Sequence, residues 1–194
     1  MSTVVMHAVV SVDGFIADAD DQVGALFDWY GNGDVSLEHA GLTISQTSAE
    51  YVKPMWASIG CSVIGRHLFD ITDGWSGSPP AGEHVVVVSH SGKPDGWHPE
   101  ASYHFVDDVS RAVALAKELA GDEQIVALAA GDVGGQAFAL GLVDEVAMDV
   151  APVVFGSGKR YFGSAGAQDL LEDPHIVIRG DRVLHLRYRV RRSS

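Results

Sequence analysis

The stretch from residue 125 to residue 163 constrains the fold more than any other part of this chain. Ile125-Val126-Ala127-Leu128 is a short apolar run of the kind a buried strand shows. Ala129-Ala130-Gly131 follows with almost no side-chain bulk. Asp132 is placed to cap a helix with Val133, Ala137 and Leu140 at i, i+4 and i+7, and Gly141 stands where that helix ends. Val143 to Val154 reads as a second strand, and Phe155-Gly156-Ser157-Gly158 turns the chain away with Arg160 behind it. A bare loop that delivers a helix N-terminus to a strand's end gathers free N–H groups and the positive end of the helix dipole. This predicts an anion site, with a nucleotide diphosphate as the first ligand to consider.

The rest of the chain fits one globular domain spanning residues 1–194. Its 46% hydrophobic content suits a sizeable core, and 20% charged residues is too few for a disordered chain. No apolar run is long enough to cross a membrane, and the first basic residue is Lys53, so the basic start of a signal peptide is missing. With Cys61 as the only cysteine, no disulfide forms within the chain, and a cytoplasmic location is expected. A formal charge of -13 argues against nucleic acid as a partner. Arg179, Arg182, Arg187, Arg189, Arg191 and Arg192 make the last strand and tail a basic face on an otherwise acidic protein.

Thr3 to Val12 reads as a first strand, and Ser11 to Ala17 as a turn leading into an extended piece. The Asp- and Gly-rich residues 18 to 36 read as a long surface loop. A helix is predicted from Leu42 or Thr47 to Ser58, with Pro54 expected to kink or restart it. Cys61 to Ile64 is a strand ending at Gly65-Arg66, and a loop from residue 73 to 83 holds Trp75. The four valines between His84 and Ser89 predict a fully buried strand, with another at Ser102 to Val106. Asp107 or Asp108 caps a helix with Val109, Val113, Ala116 and Ala120 on one face, closed by Gly121. His175 to Arg179 and Val183 to Arg191 form a hairpin around Gly180-Asp181. Alternating strands and helices with a terminal hairpin predict α/β architecture on a mixed sheet.

These segments, in this order, resemble the dihydrofolate reductase-like family, and more closely the reductase domain of bacterial riboflavin biosynthesis and the stand-alone proteins similar to it. The residues that carry the resemblance are Ser11 to Ala17, Ile64-Gly65-Arg66, Val88-Ser89-His90, Gly141 to Glu145, Pro152 to Gly158, and Leu184 to Tyr188. It implies a mixed central sheet flanked by helices, a homodimer, and an NADPH-dependent reductase acting on a small planar heterocycle, pterin- or pyrimidine-like. It also implies a cofactor site made by Ser11, Gly14 and Ala17 over the nicotinamide, by Gly65, Arg66 and His67 opening a helix, and by Ser89 and His90 at the adenine ribose phosphate. Ala130, Gly131, Asp132, Val133 and Gly134 complete it beside the pyrophosphate.

The chain departs from the family in places. Ala129-Ala130 stands where the family has Gly-Gly, and a Cβ at each disfavours positive φ, with Gly131, Gly134 and Gly135 one step later. Leu68 replaces a frequent Thr, and Leu128 and its neighbours stand near where riboflavin reductases carry an acid. Glu38 and Glu50 are the candidates for a substrate-gripping carboxylate near the first helix. Asp13 is the acid expected to face the cleft as a catalytic residue, or else a turn residue before Gly14. Trp56 and Trp75 are candidate walls of a substrate pocket, or else core aromatics. His67 and His90 bind phosphate when protonated, or else stand in solvent. Histidine spacing gives no metal signature. The alternative to a reductase is a non-catalytic nucleotide- or metabolite-binding protein on the same scaffold.

Overall fold

The computed structural model describes residues 2–37, 41–164 and 169–191. In its first half the chain forms β1 (Val4–Ser11), β2 (Phe15–Ala17), a 3-10 helix (Gly24–Tyr30), β3 (Val35–Ser36), β4 (Thr43–Ile44), α1 (Gln46–Ala57), β5 (Ile59–Gly65) and α2 (Arg66–Thr72). There follow β6 (His84–Val88), β7 (Tyr103–Val106), α3 (Val109–Ala120), β8 (Ile125–Ala129), α4 (Asp132–Ala139) and β9 (Glu145–Ala151). The described chain closes with β10 (Lys159–Arg160), β11 (Ile176–Arg179) and β12 (Leu184–Arg189). Eight strands make one sheet in the order β11-β12-β9-β1-β8-β5-β6-β7. The six strands from β9 to β7 are parallel, and β12 and β11 add antiparallel at one end. This is the mixed, helix-flanked α/β sheet with a terminal hairpin that the sequence predicts.

Register decides which side chains share a face. Val4, Met6 and Val10 of β1 join Cys61, Val63, Val86, Val126 and Leu128 in a core covered by α3. Asp108 caps α3 by accepting from the Arg111 N–H at 2.8 Å, and Gly121 ends it at φ +69. Val85, Val86 and Val87 are fully buried, as a valine run in a parallel strand requires. On the opposite face, α1 packs with the 3-10 helix over Val9, Ala151 and Val183, and α2 sets Phe69 over Ile64, Val85 and Val87.

Four local expectations are corrected. Residues 18–36 are not simply a surface loop, because Leu26, Trp29 and Tyr30 of the 3-10 helix are buried against the sheet. Apolar burial outweighs the Asp- and Gly-rich surroundings there. Pro54 does not restart α1, which runs through it as one helix; it sits on the exposed side, where the Glu50 carbonyl it leaves without an N–H partner can meet water. Asp132 does not cap α4: Gly131, at φ +96, holds that position, and Asp132 is the first helical residue. Leu140 is exposed, and α4 buries Gly134, Gly135 and Ala137 instead. The helix lies too close to its neighbours for larger residues, since a Cβ on Gly135 would fall 2.1 Å from the Phe162 carbonyl oxygen. Among the described residues no helix is long and apolar enough to cross a membrane.

Candidate functional site

In a parallel sheet the loops after the strands' carboxyl ends face one edge, where α/β proteins place their ligands. Here the loops after β1, β5, β6, β8 and β9 all open on that edge. Gly131 turns the chain there, its N–H donating to the Tyr161 carbonyl at 2.7 Å. Neither Ala129 nor Ala130 adopts positive φ; the one left-handed position of the turn is Gly131, so the expected strain of the alanine pair is absent. A Cβ on Gly131 would lie 3.4 Å from Ile16 Cδ1, and one on Gly65 would lie 3.0 Å from Val133 Cγ2. The first turn, the β5 end and the central turn therefore adjoin.

At the far side of this crevice, Arg66 Nη1 donates to Ser89 Oγ at 3.4 Å while its Nε holds Asp70 at 2.7 Å. Ser89 Oγ also takes the Ser91 N–H at 3.1 Å, so the two predicted phosphate contacts are held together. His90 is exposed. His67 pairs with Asp21 at 3.0 Å, and Lys159 stands 3.6 Å from the same carboxylate. The hydrogen bond from His67 keeps the Asp21 carboxyl below its ordinary range.

Asp13 is exposed and works as a loop latch. It accepts from Ser11 Oγ at 2.6 Å, Phe155 N at 3.2 Å and Gly156 N at 2.7 Å. These bonds, the Ser11 hydroxyl first, lower its pKa, so it is ionised at neutral pH and has no proton to give. Ser11 Oγ also takes the Phe15 N–H at 2.9 Å. Gly14, at φ +89, accepts from the Tyr161 N–H, and Ala17 pairs with Lys159. Tyr161 thus ties the first turn to the central turn.

The two tryptophans are not brought into one pocket. Trp56 packs with the cluster under α1, and Trp75, in a left-handed turn at φ +49, packs with the cluster under α2. Of the two glutamates, Glu38 lies outside the described residues. Glu50 is exposed on α1 and holds Gln46 at 3.0 Å.

Between the α1 and α2 clusters the sheet is incompletely covered. His7, Ala127, Ala129 and Ser62 sit side by side on β1, β8 and β5, facing the α1 side, and all are half-buried although their strands are central. This partly exposed strip of the sheet, termed the trough, runs to the Ala129–Gly131 turn. His7 Nε2 lies 2.9 Å from Asp149 Oδ2, Asp149 Oδ1 lies 2.6 Å from His185 Nδ1, and His185 Nε2 lies 2.9 Å from Ser48 Oγ. Asp149 and His185 are buried, while His7 keeps 20% side-chain exposure. Burial pushes the Asp149 carboxyl up, but His7 and His185 more than offset it and hold it at about 2. Burial, with the Asp149 charge, pushes the Tyr51 hydroxyl up to about 12. Sequence reasoning missed this chain of groups. The signal for it is His7 inside the apolar run of β1 and Asp149 between Met148 and Val150, where burial demands a partner. Among the described residues no group of three or more His, Cys, Asp or Glu side chains is arranged to hold a metal ion.

The strand order and connections define a dihydrofolate reductase-like α/β fold. The sequence pattern of the RibD C-terminal domain matches residues 2–185, and the chain belongs to that family. A riboflavin biosynthesis protein from Shewanella sp. PV-4 shares the fold at 18% identity with a TM-score of 0.71, covering 99% of this chain and 100% of its own. RibD of Acinetobacter baumannii matches at 16% identity and 0.63, over 98% of this chain and 58% of that one. A deaminase/5-amino-6-(5-phosphoribosylamino)uracil reductase of Thermotoga maritima matches at 14% and 0.62, over 97% of this chain and 56% of its own. The chain therefore spans little more than half of those two longer relatives. No curated protein sequence matches it.

Proposed function

We propose that the chain is a reductase that uses NADPH to reduce a small planar heterocycle, pyrimidine- or pterin-like. The observation that carries this is the gathering on one edge of an Arg66–Ser89 pair, a bare turn at the α4 N-terminus and the Ser11–Ala17 turn, beside a half-open trough. These donors fit a dinucleotide. Arg66 and Ser89 suit a phosphate monoester, which favours NADPH over NADH. The N–H groups that open α4 suit the pyrophosphate. Ile16 offers an apolar surface beside the turn. Bound there, the cofactor supplies hydride, and the protein supplies position and electrostatics.

Family membership supports the reductase class, and the T. maritima relative's uracil derivative is the first substrate to try. The same proposal includes a homodimer, tested by sedimentation, and a cytoplasmic site of action. Cys61 fits a core role, since burial pushes its thiol up to about 12 and leaves it unreactive.

Calorimetric titration with NADPH and NADH, followed by NADPH oxidation with that uracil derivative, dihydropteridines and dihydrofolate, tests this reading. Submillimolar binding and turnover of one heterocycle are expected. Binding no tighter than millimolar would remove the cofactor from the account. One observation favours the alternative of a binder without chemistry: Asp132 puts a carboxylate at the start of α4, where a pyrophosphate would repel it. Binding without turnover across the panel would select that alternative.

A further inference from the structure

We propose that His7 is the proton donor of this site, aimed into the trough by Asp149, with His185 and Ser48 fixing Asp149 from behind. This rests on the reductase reading above. The argument begins with an asymmetry between two histidines on one carboxylate. His185 is fully buried, and both of its ring nitrogens are engaged, by Asp149 and by Ser48. His7 is engaged only through Nε2, by Asp149 at 2.9 Å. Among the described residues its Nδ1 has no partner, yet it is not among the buried unpartnered atoms, so it is open to the trough. A histidine kept only for packing would have no need of a buried carboxylate that itself requires a second histidine and a serine.

Asp149 fixes the tautomers, because a carboxylate only accepts. His185 carries a proton on Nδ1 and gives it to Asp149 Oδ1, with its Nε2 beside the Ser48 hydroxyl. The other carboxylate oxygen receives the proton on His7 Nε2. Neutral His7 therefore has its lone pair on Nδ1, facing the trough, and a proton taken up there from water is positioned for transfer. No other group on the trough floor can do this. Ala127 and Ala129 carry no proton to give, and Ser62 Oγ is turned to the Ala81 carbonyl at 3.4 Å. Asp149 in turn faces the tyrosines Tyr30, Tyr51 and Tyr161, whose hydroxyls burial, with the Asp149 charge, pushes up and keeps neutral.

The step balances for a C=N or C=O bond of the substrate. Its carbon accepts a hydride from the reduced nicotinamide dinucleotide, which is oxidised by two electrons. The π pair moves to the heteroatom, which takes the proton from His7 Nδ1. The N–H pair stays on the ring, leaving neutral imidazole, which regains its proton from water. General acids of this kind contribute about 10²–10⁴-fold.

Nitrogen-15 spectra of histidine-labelled, ligand-free protein provide a readout independent of activity. The neutral form of His7 is expected as the Nε2–H tautomer, and Asp149→Asn is expected to abolish that preference. In kinetics with NADPH and 5-amino-6-(5-phosphoribosylamino)uracil as probe, His7→Gln is expected to lose roughly a hundredfold in turnover. Its NADPH affinity should stay within about threefold, because no cofactor contact is assigned to His7. Asp149→Asn, a positioning change, should shift the pH profile of turnover. An Nδ1–H tautomer in the wild type, or a His7→Gln rate within about threefold of wild type, would overturn the proton role and leave the reductase reading standing. NADPH binding without turnover would overturn the proton role in favour of a binding protein, and failure to bind NADPH would remove both.

Discussion

The two faces of the sheet are built on opposite plans. Under α3 the core is continuous and nearly all apolar, from Val4 and Met6 through Val63 and Val86 to Val126 and Leu128. Under α1 and α2 it is divided into two clusters, with half-buried His7, Ala127, Ala129 and Ser62 between them and a buried carboxylate at the margin. Filling the gap would bury more apolar surface, at about 25 cal/mol per Å². The divided face forgoes that stabilisation and keeps a trough. The comparison teaches that the first face specifies the fold, while the second leaves open the strip on which the proposed function depends.

The largest expected effect falls on the divided face. Asp149→Ala strips two histidines of their shared acceptor and should cost about 3–5 kcal/mol at neutral pH, read by urea unfolding. A loss below about 1 kcal/mol would mean the network is already well solvated. On the continuous face, Gly135→Ala drives a methyl into the Phe162 carbonyl and should cost about 3 kcal/mol. Ala127→Val, in the trough, should change stability by less than about 1 kcal/mol while raising the KM for the heterocycle. Equal stability losses for the two would erase the distinction between the faces.

The acid limb of stability is the next smaller effect. Asp149 has a folded pKa of about 2, below its ordinary 3.8. Its contribution is therefore present above the unfolded value and is lost as pH falls toward the folded one. Roughly 2 kcal/mol should disappear between about pH 4 and pH 2, and Asp149→Asn should flatten that slope. Urea midpoints across this range check it; an unchanged slope in the variant would assign the acid limb to other carboxylates.

At the crevice, Arg66→Ala should weaken NADPH by roughly tenfold and NADH much less. Equal losses for both would take Arg66 out of phosphate recognition. The smallest effect is expected for the double variant Ala129→Gly/Ala130→Gly. Neither residue has positive φ, so NADPH affinity should change by less than about threefold, while added backbone freedom costs about 1 kcal/mol of stability. A large gain in affinity would show that the alanine pair obstructs the site.

Much of this architecture is legible from local pattern. The β8–α4–β9 unit, the valine strand β6 and the closing hairpin each carry a period or a turn signal of their own, and the structure places these elements where they are read, although the cap and the buried face of α4 differ. The plug formed by Leu26, Trp29 and Tyr30 was not legible, because its burial depends on a sheet assembled from distant strands. The same holds for His7, Asp149 and His185. Each is a polar residue on its own strand, far from the others in sequence, and only the order β12-β9-β1, which sets His185 in register beside Asp149, reveals them as a group. At the crevice, the family resemblance names Arg66 and Ser89 separately as phosphate contacts, but their hydrogen bond to each other and the use of Asp13 as a latch on Phe155 and Gly156 required the fold.

The most direct test of the central claim is a crystal structure of the protein soaked with NADPH. The account predicts the adenine ribose phosphate between Arg66 and Ser89, the pyrophosphate at the Gly131 turn, and the nicotinamide beside Ile16 at the mouth of the trough that His7 floors. A dinucleotide bound away from this edge, or no binding at saturating concentration, would contradict it.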